Sequence, residues 1–134
     1  MEVLPTKNNT VTLQFSTGAF VAVVSELVKA WKGTQGKLID TTYTGGLSVR
    51  VTSVKPKKEI GGKAPQTTTR LQVDGEQITI TTYDTKTKMN VQGKSPEQYC
   101  SRSLLPYLRA ELDKAAATIF KYNDFFSNLS LIHI

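Results

Sequence analysis

Histidine, cysteine and paired carboxylates carry most enzyme chemistry, and here they are sparse. His133 is the single histidine and Cys100 the single cysteine. Asp40, Asp74 and Glu76 fall near expected sheet turns, but no spacing sets two of them around one bond or one magnesium ion. No His/Cys/Asp/Glu spacing matches a zinc site. GTQGKL (Gly33 to Leu38) echoes a phosphate loop but lacks its upstream glycine and the Ser/Thr after lysine. Cys100 falls in the first turn of an expected helix, where a thiolate is stabilised. With no base nearby, it reads as a small core residue. The expectation is a non-catalytic chain with no cofactor and no metal.

What the chain carries in quantity is positive charge, hydroxyls and amides. Lys and Arg number 17 against 11 Asp and Glu, a formal net charge of +6. That balance favours polyanionic partners and says nothing about fold. Arg50, Lys57, Lys58, Arg70 and Lys88 can neutralise phosphates. Gln72, Gln77, Asn90 and Gln92, with Thr79 and Thr81, can hydrogen-bond bases or sugars, and Tyr83 can stack on a base. Whether these side chains form one surface depends on the elements that hold them.

The hydrophobic pattern supplies those elements. TVTLQF (Thr10 to Phe15) alternates as a half-buried strand. Ser16 or Thr17 can cap a helix whose stripe is Phe20, Val23, Val24, Leu27, Val28 and Trp31, with Gly33 and Gly36 ending it. A strand over 37–43, the turn Gly45-Gly46 and a strand over 47–54 follow. Residues 55–66 read as a basic loop punctuated by Gly and Pro, with Lys55, Lys57, Lys58 and Lys63. Strands at 68–73, 76–83 and 88–92 complete a meander, the first two joined by Asp74-Gly75. Ser95, Pro96 and Gln98 form a capping box, opening a helix striped with Cys100, Leu104, Leu108, Leu112, Ala115 and Ile119. Pro106 predicts a kink there or two abutting helices.

Strand alternation then sorts the side chains into two sets. Leu47, Val49, Val51, Leu71, Val73, Ile78, Ile80, Met89 and Val91 face a core under both helices. Ser48, Arg50, Thr52, Arg70, Gln72, Gln77, Thr79, Thr81, Tyr83, Lys88, Asn90 and Gln92 face outward, a list without an acid. The economical architecture is α+β, with two helices on one face of an antiparallel sheet.

The 134 residues suffice for one domain with its own core. One cysteine excludes an internal disulfide framework. The N-terminus lacks a signal-peptide pattern, and no apolar run approaches membrane-spanning length. An intracellular setting is expected, nuclear if the source is eukaryotic. Residues 129–134, LSLIHI, resemble a translated sequencing adaptor, so the domain is read as 1–128 and the natural chain as longer.

TITTYDTKTKMNVQGKSPEQYCSRSLLPYLRAEL (Thr79 to Leu112) resembles the last hairpin and long helix of one half-repeat of the TATA-binding-protein fold. The resemblance rests on Thr79 to Tyr83, Lys88-Met89, Gly93, and Ser95 with Glu97. It implies a curved sheet whose concave face contacts nucleic acid, DNA ahead of RNA. Tyr83 stands where the family's aromatic wedges between base steps. The chain departs from the family in holding one half-repeat rather than two, which makes a homodimer one expectation. Asn90 and Gln92 are also more polar than is typical at those positions. The rival expectation is a protein-interaction or dimerisation domain, or an accessory domain of a longer protein.

Overall fold

The computed structural model describes residues 1–38, 45–57 and 65–132, with side chains through Leu129. Residues 39–43 of the expected strand, including Asp40, lie outside the described residues, as do Lys58, Lys63 and His133. The strands are β1 (Glu2–Val3), β2 (Thr10–Gln14), β3 (Val49–Lys57), β4 (Gln66–Val73), β5 (Glu76–Tyr83) and β6 (Lys88–Gly93). They form one open antiparallel sheet in the order β1-β2-β6-β5-β4-β3. Three helices accompany it: α1 over 17–33, α2 over 96–114, and α3 (Ala116–Ile132).

The class is α+β, as the pattern predicts, with the helices over one sheet face. Leu13, Val51, Leu71, Ile80, Met89 and Val91 from the sheet form one buried cluster with Phe20, Val24, Leu27 and Trp31 of α1 and Cys100, Leu104 and Leu108 of α2. The Asp74-Gly75 turn has φ of 49° and 83°, the paired left-handed conformation that suits a two-residue hairpin. Asp74 also holds the start of β3: its N–H donates to Ser48 O at 2.8 Å, and its Oδ1 accepts from Ser48 N–H at 2.9 Å.

Both α1 and α2 widen for one turn. In α1, Phe20–Val24 is π-helical and Ser25 N–H reaches Phe20 O. In α2 the π turn is Cys100–Leu104, just ahead of Pro106. Proline at 106 leaves the Arg102 carbonyl without its helical donor. That carbonyl instead meets Gly45, where a Cβ would overlap it, and the Arg102 guanidinium donates to Gly45 O at 3.3 Å. The helix thus passes through Pro106 and breaks later, at Ala115, whose backbone is at φ −95°, ψ 8°. Beyond that break α3 folds against α1.

Two local expectations change. Ser16 caps α1 by accepting from Ala19 N–H at 3.2 Å, but Ser95 makes no side-chain cap bond. Ser16 is extended, with ψ 161°, whereas Ser95 sits at ψ 67°, away from the geometry that aims a hydroxyl at the helix N–H groups. β3 runs on through Lys57 and β4 begins at Gln66, beyond the expected bounds, and β1 adds an edge beside β2.

Candidate nucleic-acid interface

One irregularity decides which side chains share the uncovered face. The β3–β4 register shifts between Val51 and Ser53, so Thr52 is an extra residue in β3. The Thr52 hydroxyl donates to Arg70 O at 3.0 Å across the bulge. Before it, Val49 and Val51 point into the core; after it, Val54 does. Regular alternation through Thr52 would turn Lys55 and Lys57 into the core. With the bulge, Ser53, Lys55 and Lys57 join Arg50 on the open face. Those lysines, read from the sequence as loop, are therefore strand residues.

The registers lay the face out in rows. One runs Gln14, Lys88, Tyr83, Gln66, Lys57; the next runs Thr12, Asn90, Thr81, Thr68, Lys55. A third runs Thr10, Gln92, Thr79, Arg70, Ser53, and the last holds Gln77, Gln72 and Arg50. The expected residues that are described thus lie on one surface. Lys58 lies outside the described residues. Thr81 is only 8% exposed and forms floor rather than contact surface.

The face divides chemically. On the β2–β6 side the polar groups bond to one another. The Thr12 hydroxyl donates to Asn90 Oδ1 at 3.0 Å, and the Gln92 amide to Thr10 Oγ1 at 3.3 Å. Gln14 donates to Lys86 O at 2.9 Å and to Thr87 O at 3.2 Å, clasping the β5–β6 turn. Gln77 donates to Thr79 Oγ1 at 3.4 Å. On the β3–β4 side, Lys55, Lys57, Gln66, Arg70 and Gln72 have no side-chain partner among the described residues. Arg50 stands between the two conditions, with one nitrogen donating to Gly36 O at 2.7 Å.

Tyr83 sits between the two halves, half-buried, with Lys88 Nζ 4.9 Å from its ring centroid. β1, too short to show in the hydrophobic pattern, brings an acid onto this face. Glu2 pairs with Gln14 and so faces the same way, at the far end of the Tyr83 row. The strand face is therefore not acid-free: its cations gather toward β3 and its acid lies at β1. Gln66 and Thr68 join the face from outside the expected set, although the run Thr67 to Thr69 carries the β-branched signal of a longer strand.

The remaining reactive groups are quiet. Burial, with the Glu97 charge adding to it, pushes the Cys100 thiol up to about 12. Among the described residues no group of His, Cys, Asp and Glu could hold a metal, and no helix is long and apolar enough to cross a membrane. In comparisons of the chain with family models, curated proteins and solved structures, none matches.

Proposed function

We propose that the protein is a non-catalytic nucleic-acid-binding module that uses the open face of its sheet. One observation carries this reading. Among the described residues, Lys55, Lys57 and Arg70 lie unpaired on one side of Tyr83, while the acid of the face, Glu2, lies at the opposite edge. Unpaired cations beside an aromatic and amides suit phosphates and bases better than they suit an apolar partner. The resemblance of residues 79–112 to a TATA-binding-protein half-repeat supports the same reading, with a homodimer restoring a second half. A titration of nucleic acid at two salt concentrations tests it. Affinity is expected to fall steeply with salt, because each neutralised phosphate releases a counterion. Absence of binding at low salt to single strands, duplex and RNA alike would falsify the reading.

A second reading rests on α3. Phe120 and Phe125 are 74% and 57% exposed there, which suits a protein-interaction or dimerisation domain, or an accessory domain of a longer chain. It predicts self-association that salt does not weaken, measured by sedimentation, and abolished by Phe125→Ser.

A further inference from the structure

We infer that the polynucleotide held on this face is single-stranded, and that its bases and phosphates, but not its sugars, make the contacts. This rests on the nucleic-acid reading above and narrows it. Prising a duplex open from its minor groove takes apolar wedges, whereas Tyr83 lies among the polar side chains of Gln66, Lys88 and Asn90. Reading a duplex in its major groove takes a helix or a two-stranded ribbon that enters the groove. Among the described residues, nothing of that kind rises from the open face. The β4–β5 link is the two-residue turn Asp74-Gly75, and the β5–β6 turn is drawn toward β2 by Gln14 and by Thr87, whose hydroxyl donates to Phe15 O at 2.8 Å. A strand with unstacked bases can lie on such a surface, as sheet-based RNA-binding domains show.

The Tyr83 row supplies the stacking site. Lys88 covers the ring at 4.9 Å, a weak contact at a half-exposed site that an incoming base can replace. The displaced ammonium is then free to meet a phosphate. Lys57 lies in the same row two strands away, about 10 Å at ordinary strand spacing. Lys55 lies in the next row, about 7 Å further along β3. A strand running along β3 and β4 can therefore pair successive phosphates with Lys57 and Lys55 while a base turns inward onto Tyr83. The groups best suited to a ribose 2′-hydroxyl are already taken, in the Thr12–Asn90, Gln92–Thr10 and Gln77–Thr79 bonds. Reading that hydroxyl would mean breaking them.

Fluorescence anisotropy with labelled oligo-dT, oligo-rU and a DNA duplex, each about 15 nucleotides or base pairs, near one site footprint, separates the possibilities. Both single strands are expected to bind at least about tenfold tighter than the duplex and within about threefold of each other. Tyr83→Ala should weaken single-strand binding about fivefold to hundredfold, the range one stacked base supplies. Tyr83→Trp should retain it and Tyr83→Leu should not, a contrast that holds even if the alanine variant folds poorly. Duplex binding as tight as single-strand binding overturns the inference and leaves the broader reading standing. So does a Tyr83→Leu variant that binds like the parent, or discrimination between dT and rU above about tenfold. If no polynucleotide binds, both fall together.

Discussion

Asn123 belongs to α3, yet its amide closes the start of α1. Its Oδ1 accepts from Gly18 N–H at 2.6 Å, and its Nδ2 donates to Ser16 Oγ at 3.1 Å, beside the bond from Ala19 N–H to the same oxygen. Two of the N–H groups that a helix leaves open are thus satisfied from residues far apart in sequence. Asn123→Ala is expected to cost about 1–2 kcal/mol, lowering the melting temperature by several degrees with no change in nucleic-acid affinity. An unchanged melting temperature would show that the contact contributes nothing. Asp84, beside Tyr83, offers a test by pH. Burial raises its pKa above 3.8. Between 3.8 and the raised value the folded state binds more protons than the unfolded state, so stability falls as pH rises through that window. Asp84→Asn removes the effect. The variant should be more stable at neutral pH, and the gain should vanish below pH 3.8. Urea unfolding at the two pH values reads this, and an equal gain at both would sink it.

At the scale of elements, the bulge in β3 is the feature on which the site turns. A one-residue slip in a strand exchanges its two faces. Deleting Thr52 removes the surplus residue and leaves Val51 opposite Leu71 and Ser53 opposite Arg70 as consecutive pairs, so Val54 stays inward and Lys55 outward. Inserting one alanine between Ser53 and Val54 instead should force a choice between losing Val54 from the core and burying Lys55. Either outcome removes a large part of the roughly 5–15 kcal/mol available to a small domain. The insertion variant is expected to lose its cooperative urea transition, whereas the Thr52 deletion and Thr52→Val should both keep it and lose only about 1 kcal/mol for the bond to Arg70 O. An insertion variant with a parental transition would mean that the residue count in β3 does not set the faces. Thr52 also marks where sequence stops being legible. The alternation of Val49 and Val51, of Leu71 and Val73, and of Ile78 and Ile80 announces strands and their inward faces, and all six are buried. Asp74-Gly75 announces its hairpin. Nothing in the letters of VTSV says that one residue is surplus, because the bulge is fixed by the partner strand. Lys55 and Lys57 read as loop because Pro56 and the glycines that follow punctuate the segment. The two residues of β1 are too few to show a period, and the break at Ala115 has no proline or glycine to mark it. Lys55, Pro56 and Lys57 have a second consequence: charge and a missing N–H on this strand discourage a further strand from adding to β3.

For the whole molecule, the net charge of +6 matters less than where the charge sits. Lys55, Lys57, Arg70 and Lys88 cluster on the β3–β4 side and centre of one face, while Glu2 stands three strand spacings from Tyr83, about 14 Å. That separation exceeds the screening length of about 8 Å at physiological salt, so Glu2 should hardly be felt by a phosphate near Lys57. If the four cations each neutralise one phosphate of a single strand, the plot of log affinity against log salt should have a slope of about −3. Lys57→Ala should flatten it by about 0.7 and weaken binding whatever the base sequence. Glu2→Gln, which raises the net charge by the same unit that Lys57→Ala removes, should leave slope and affinity nearly unchanged. Were net charge alone responsible, the two substitutions would shift affinity by similar amounts in opposite directions. Anisotropy titrations of the two variants across a salt series distinguish a placed cluster of cations from a merely basic protein.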